Sequence, residues 1–330
     1  MRVLVTGASG FLGRRVVEEL LRRGHEPRAL VRAATDTSGL WNGRVEVVRG
    51  DVRVPATLRD VARGADAVIH LAGAITGDPD QDFTTAVVGT EQLIAAVDGT
   101  PVRRIVVASS ITVYDWSAAH GTVTEDTPTV MDPWPRGGYT VAKLWQERVA
   151  RRGAEAAGVE LTILRPGFIW GPGREQVAGV GLSVGLVYLV VTGRHRLPLT
   201  HVDNCADCFV TALEDPRAAG RVFNIVDGRG TGPWRYAGIY LRGTARSGVR
   251  LPVPYPVVRS AARLASTIAR HVFAHGGRLP SVLDPPRAEA RFKPVRWTAA
   301  GLERELGWRP RVGFAEAVRR TYDRPSASPQ

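Results

Sequence analysis

The chain has 330 residues, 44% hydrophobic and 23% charged, which excludes a disordered or fibrous protein and allows a full core in one large domain plus a smaller lobe. A formal charge of +12 invites a nucleic-acid reading, but only Lys143 and Lys293 are lysines and the arginines are scattered along the chain. That pattern argues for a solvated surface and a small anionic ligand, and against nucleic acid.

Met1 leads straight into the apolar strand Arg2–Thr6, with no basic region or cleavage site of a signal peptide. Two cysteines, Cys205 and Cys208, cannot staple a chain of this size, so a cytoplasmic location is expected. A glycine-rich turn follows the strand, then the helix Phe11–Arg23, with Leu12, Val16, Val17, Leu20 and Leu21 apolar and a stop at Gly24. Further strands are expected at Pro27–Val31, Val45–Arg49, Ala67–Leu71, Arg104–Ala108 and Leu161–Arg165. Most are short and rich in Val and Ile, as strands covered on both faces should be. Helical patterns at Ala56–Arg63, Thr85–Val97 and Tyr139–Ala157 alternate with them. Repeated βα units predict an α/β fold, a Rossmann-type doubly wound parallel sheet with right-handed crossovers.

After Arg165-Pro166 the rhythm breaks, and the segment up to Leu199 reads as irregular. A helix over Asp203–Glu214 and a strand over Val222–Val226 return to the sheet. The expected division is a nucleotide-binding domain at 1–170 and 201–227, with a C-terminal substrate lobe at 171–200 and 228–330. The tail Arg324–Gln330 should fray. Val177–Val191 is uncharged but short and glycine-rich; a bilayer span needs about 20 residues. Val257–Ala274 reads as an amphipathic helix with Arg259, Arg263 and Arg270 on its polar positions. A lid or packing helix is the favoured reading of it, and no membrane span is expected.

The turn Gly7-Ala8-Ser9-Gly10-Phe11-Leu12-Gly13 has the spacing G-x-x-G-x-x-G between a strand and a helix. Glycine lets the backbone approach a pyrophosphate, whose charge then sits at a helix N-terminus. Thr6, Gly7, Ser9, Gly10, Phe11, Leu12 and Gly13 are therefore candidate dinucleotide contacts. An NAD site places an acid at the end of the second strand. Here Val31 stands at that position and Arg32 follows it. A guanidinium can grip a 2′-phosphate in a fork, so the expected cofactor is NADP(H), with NAD(H) as the alternative. Asp51 is placed to accept from the adenine amino group, with Val52 against the ring. Leu71, Ala72 and Gly73 are small or apolar and let a cofactor cross the strand ends; His70 reads as a packed strand residue.

Ala108-Ser109-Ser110-Ile111-Thr112 ends the strand Arg104–Ala108, and Tyr139 and Lys143 follow at i, i+4 on one helical face. The Lys143 ammonium is expected to lower the Tyr139 phenol from its ordinary pKa of about 10, so that it can pass a proton near neutral pH. Ser110, ahead of Ser109 or Thr112, would polarise the substrate oxygen. Lys143 would also hold the nicotinamide ribose. Cys205-x-x-Cys208 lacks the other ligands of a zinc site, so no metal is expected and the thiols read as buried and reduced.

Taken together these motifs resemble an extended short-chain dehydrogenase/reductase of the NAD(P)-dependent epimerase/dehydratase type. The resemblance also rests on Glu147, Leu164-Arg165-Pro166-Gly167-Phe168-Ile169, His201-Val202-Asp203-Asn204 and Glu305-Leu306-Gly307-Trp308. It implies that Pro166, Phe168 and Ile169 lie by the nicotinamide carboxamide, beside Ala108. It also implies a small-molecule substrate and a candidate homodimer through the helices near Thr85–Val97 and Tyr139–Ala157. Three departures stand out: Ala86 where such proteins carry Asn, Leu197 where nucleotide-sugar enzymes carry Arg, and Asn204 in the second Asp position. The last is similar to 3β-hydroxysteroid dehydrogenase-like and dihydroflavonol reductase-like proteins. The leading expectation is thus a ketone/secondary-alcohol oxidoreductase. A nucleotide-sugar epimerase or dehydratase is the first alternative and a non-catalytic dinucleotide sensor the second.

Overall fold

The computed structural model describes residues 1–73, 76–228, 230–246, 248–272, 280 and 282–323. The expected fraying at 324–330, and the last two residues of the helix expected at Val257–Ala274, lie outside the described residues.

The first strand, β1 (Arg2–Thr6), explains the architecture around it. Side chains alternate across a strand, and here both faces are apolar. Val3 and Val5 enter one core cluster with Val16, Val17 and Leu20 of helix α1 (Phe11–Arg22). Leu4 enters a second cluster with Leu93, Ile94, Val97, Ala150 and Ala154 on the opposite face. The strands β2 (Glu26–Val31), β3 (Glu46–Arg49), β4 (Ala67–His70) and β5 (Arg104–Ala108) pair with it in one sheet, as do Glu160–Pro166 and Val222–Ile225. Every pairing in this seven-stranded sheet is parallel. Its order runs Val222–Ile225, Glu160–Pro166, β5, β4, β1, β2, β3, a Rossmann-like α/β fold. From β1 the chain first builds toward β3, then returns to build outward from β4. The crevice at the carboxyl ends of β1 and β4 is the switch point where doubly wound sheets hold ligands.

Three expected elements differ. Ala56–Arg63 is not a helix: Pro55–Thr57 makes one tight turn, and Arg28 Nη1 donates to the carbonyls of Val61 and Arg63 at 3.2 and 2.6 Å. The backbone there closes separate i→i−3 turns, Val61 N to Leu58 O at 3.2 Å and Arg63 N to Asp60 O at 3.1 Å, and a side chain from β2 takes two of the carbonyls left over. The helix expected at Thr85–Val97 starts earlier, at Pro79, capped by Asp78, and widens over Thr84–Val88 before continuing as Gly89–Val97. The stretch up to Leu199 is not irregular throughout. Gly181–Val184 and Val187–Thr192 pair antiparallel around Gly185, and Val249–Pro254 joins them in parallel. Tyr188, Val190 and Val191 of this hairpin are buried, which explains the apolar run seen in the sequence.

No helix among the described residues is long and apolar enough to cross a membrane. The helix Tyr255–Val272 carries Val257, Leu264 and Ile268 exposed. At the C-terminal end, Leu302, Leu306 and Trp308 pack into the same core cluster as β1 and α1.

Candidate active site

The glycine turn is shaped by contact. Gly7 adopts φ +67°, and a methyl group there would stand 2.9 Å from the carbonyl carbon of Leu71. On Gly13 it would stand 2.1 Å from the Gly7 oxygen, so α1 lies directly on the end of β1. Gly10 caps α1 without a side-chain bond, and no acid occupies its first turn. The first amides of α1 are therefore left open at the positive end of the helix dipole. Leu71 N donates to Thr6 O at 3.2 Å and Ala72 N donates to Thr6 Oγ1 at 3.2 Å, tying the β4 loop to the turn. Open amides and a cradle that only glycine fits match a dinucleotide pyrophosphate. The exposed Arg174, not singled out from sequence, holds its guanidinium 5.6 Å from the Phe11 ring centre. Its signal in the sequence is only that it follows Gly171-Pro172-Gly173.

At the other end of the expected cofactor, Arg32 is exposed just past β2. Asp51 does not stand open for adenine. Arg53 forks onto it, Nη2 to Oδ2 at 2.6 Å and Nε to Oδ1 at 3.0 Å. That fork, with a smaller pull from Arg32, holds the Asp51 carboxyl below its usual range. Val52 is buried, with its Cγ2 facing Gly89.

The serine pair divides its work. Ser109 Oγ is buried and donates to Glu147 Oε1 at 2.5 Å. Glu147 in turn forms a buried two-bond pair with Arg165, at 2.8 and 2.7 Å. Thr112 Oγ1 is taken by Thr140 Oγ1 at 2.7 Å. Ser110 is the remaining hydroxyl; it accepts from Thr112 N at 3.3 Å and lies close enough to the Tyr139 phenol to pull its pKa down. Tyr139 and Lys143 sit on the helix Gly138–Ala156, with the ammonium 5.9 Å from the phenol ring centre.

The expected effect of Lys143 on Tyr139 is not seen. Burial raises the phenol's pKa above its ordinary value, opposed by the Ser110 hydroxyl and then by Arg174. Lys143 itself is buried, and burial pushes its pKa down to about 8 against the pull of Glu147 and Asp82. Its Nζ is turned to Ala108 O at 2.7 Å and Gln146 Oε1 at 2.9 Å.

A buried network lies behind the lysine. Gln146 Nε2 donates to Thr90 Oγ1 at 3.0 Å, and Thr90 donates to Ala86 O at 2.5 Å. The Thr90 proton is thus committed, so His70, 2.9 Å away, must donate to it from Nε2. His70 Nδ1 then accepts from Thr6 Oγ1 at 2.6 Å. Burial, then the nearby Lys143, holds the His70 pKa down at about 3, so the ring is neutral. Ala86, which stands where an Asn was expected, enters this network through its carbonyl alone.

Pro166 ends the strand that pairs with β5, and Phe168–Trp170 pairs in parallel with Leu199–His201. The Phe168 amide donates to Pro198 O at 2.7 Å, so it is already partnered. Asn204 is structural: its side chain exchanges two bonds with the backbone of Val312, at 2.9 and 2.8 Å. Cys205 and Cys208 are free and buried, and burial raises both thiols well above their ordinary pKa. Among the described residues no cluster of His, Cys, Asp and Glu could hold a metal ion.

The family model for the NAD dependent epimerase/dehydratase family matches residues 3–226. The chain belongs to that family and is an NAD(P)-dependent oxidoreductase of the extended short-chain dehydrogenase/reductase type. It is 30% identical over 245 residues to cinnamoyl-CoA reductase 1 of Petunia hybrida, covering 66% of this chain and 71% of that one. A 4-hydroxy-2-methyl-3-oxo-4-farnesyl-3,4-dihydroquinoline-1-oxide ketoreductase of Stigmatella aurantiaca is 27% identical, covering 96% of this chain and 95% of the relative. Among solved structures, UDP-glucuronic acid 4-epimerase from Bacillus cereus in complex with NAD superposes with a TM-score of 0.72 at 20% identity, covering 98% of each chain.

Proposed function

We propose that the protein is an NADP(H)-dependent ketone/secondary-alcohol oxidoreductase acting on a small, largely apolar or natural-product substrate. The observation that carries this reading is the grouping of Ser110, Tyr139 and Lys143 at the carboxyl end of β5, beside the Gly7–Gly13 cradle. The bound dinucleotide supplies or takes up hydride. Ser110 holds the substrate oxygen, and Tyr139 passes its proton through the phenol. Lys143, anchored by Ala108 O and Gln146, presents its charge beside Gly73, from where it would hold the nicotinamide ribose.

Arg32 supports NADP(H) over NAD(H), because Val31, and no carboxylate, stands at the end of β2, where an acid would repel a 2′-phosphate. Leu197 supports a substrate other than a nucleotide sugar: it is buried in the lobe's apolar cluster where an arginine would grip a diphosphate. Two relatives named as reductases, one of them a ketoreductase, support the same direction. The reading includes a substrate lobe at 171–200 and 228–330, a cytoplasmic setting in which Cys205 and Cys208 stay reduced, and a homodimer. In the dimer the helices Gly89–Val97 and Gly138–Ala156 would cover the exposed Trp145.

The test is NADPH oxidation, followed by absorbance, across steroid-like and polyketide-like ketones, with UDP- and dTDP-sugars as the contrasting panel. Turnover of a ketone with exchangeable cofactor supports the proposal. Conversion of a nucleotide sugar with retained cofactor overturns it.

A further inference from the structure

A second cleft has none of the proton-transfer residues Ser110, Tyr139 and Lys143 among those that line it. This cleft of about 580 Å³ is lined by Arg194, Arg196, Arg235 and Arg296, with apolar walls from Pro198, Val226, Trp297 and Phe314. No acidic side chain lines it among the described residues. Asp227 is adjacent in sequence, but its carboxylate is turned to the His201 amide at 2.6 Å and the Thr200 hydroxyl at 3.1 Å. Arg194, Arg235 and Arg296 are exposed, and among the described residues none of the three is in an ion pair. Arg196 is held by donating to Gly230 O at 2.5 Å.

Two further features point to a ligand. The helix Pro233–Gly243 begins at this cleft, with Gly232 as its cap, no side-chain cap bond and no acid in its first turn. Its open amides add a positive helix end to the four guanidinium groups. Thr231, one residue before that cap, is among the residues that line the cleft; it is only 4% exposed, and its covered hydroxyl has no hydrogen-bond partner. A buried hydroxyl without a partner costs free energy, which a bound acceptor would offset.

We propose that this cleft binds the phosphate group of an organic phosphate ester. Guanidinium forks and a helix N-terminus match phosphate oxygens in charge and geometry. The Thr231 hydroxyl donates to one of those oxygens. The apolar walls at Trp297 and Phe314 exceed what an inorganic ion needs, and they receive the organic part of the ester. The proposal stands on the cleft alone and does not depend on the ketone chemistry proposed above.

The experiment is calorimetric titration of phenyl phosphate and, separately, inorganic phosphate into the full chain saturated with NADP⁺ or NAD⁺. Filling the dinucleotide site first removes it as a rival anion site, and the dinucleotide titration itself reports on the oxidoreductase reading independently. Phenyl phosphate is expected to bind more tightly than inorganic phosphate. The double variant Arg235→Gln/Arg296→Gln should weaken it about tenfold or more, and Thr231→Val about threefold or more, as expected for lost charge-assisted and neutral hydrogen bonds. Dinucleotide affinity should stay unchanged in both variants, showing that they fold. Absence of phenyl phosphate binding, equal affinity in the double variant, or inorganic phosphate binding as tightly as the ester overturns the proposal.

Discussion

Lys143 lies directly beneath Gly73: a methyl group on that glycine would stand 3.0 Å from the ammonium nitrogen. The loop after β4 and the helix that carries Tyr139 are thus fitted to each other at a charged atom. Gly73→Ala is expected to displace the ammonium and weaken dinucleotide binding about tenfold, or ~1.4 kcal/mol. Fluorescence titration measures it, with circular dichroism as the fold control. Unchanged affinity would show that Lys143 takes no part in holding the cofactor.

Tyr139→Phe removes one oxygen and leaves the ring. Turnover is expected to fall by about 10² or more, the scale of lost general acid–base catalysis, with cofactor affinity and thermal midpoint nearly unchanged. Near-wild-type turnover on an authentic substrate would remove the phenol from the mechanism.

The lysine's depressed pKa has a stability consequence with a definite sign. Folding lowers the Lys143 pKa from 10.5 to about 8, so between those values the unfolded chain holds the proton that the folded chain has released. Stability from this group therefore rises with pH from about 8 toward 10.5, and its penalty is fully present below about 8. Urea unfolding at several pH values should show a rise of up to ~1.4 kcal/mol per pH unit in wild type relative to Lys143→Met. Parallel curves for the two proteins would contradict it.

Arg32→Ala is expected to cost about 1.5–3 kcal/mol of NADPH binding and nothing of NADH binding, the range for hydrogen bonds to charged groups. Arg53→Ala frees the Asp51 carboxylate, which the fork now holds, and should shift preference toward NADH. Equal wild-type affinity for the two cofactors would refute the role given to Arg32.

Glu147 and Arg165 are both almost wholly buried, and each depends on the other. Removing one partner leaves a buried charge, so Glu147→Gln is expected to destabilise by about 3–5 kcal/mol. The paired change Glu147→Met/Arg165→Met should cost less than either single change. A double-mutant cycle by urea unfolding tests this coupling.

Much of the sheet is legible in the sequence. Arg2–Thr6 and Arg104–Ala108 are bounded to the residue because apolar runs end at a glycine turn and a serine pair. Ala56–Arg63 misleads because its backbone closes in separate i→i−3 turns rather than a continuous helix, and its last carbonyls are held by Arg28 from another strand, which no local pattern shows. Tyr139 and Lys143 are legible from their spacing. The charge relation between them is not, because it depends on how deeply each side chain is buried. The network from His70 to Gln146 and the cleft of Arg194, Arg235 and Arg296 join residues distant in sequence, and folding alone brings them together.

The anchoring of the C-terminal segment bears on how the protein is made. Asn204 grips Val312, Asp207 binds Trp308 Nε1 at 2.7 Å, and Trp308 fills the core against α1. The outer face of α1 is therefore sealed by residues that leave the ribosome long after it. Until Trp308 emerges, the nascent chain carries an open apolar seam, and a product truncated before Trp308 is expected to be a substrate for proteolysis rather than a smaller working enzyme.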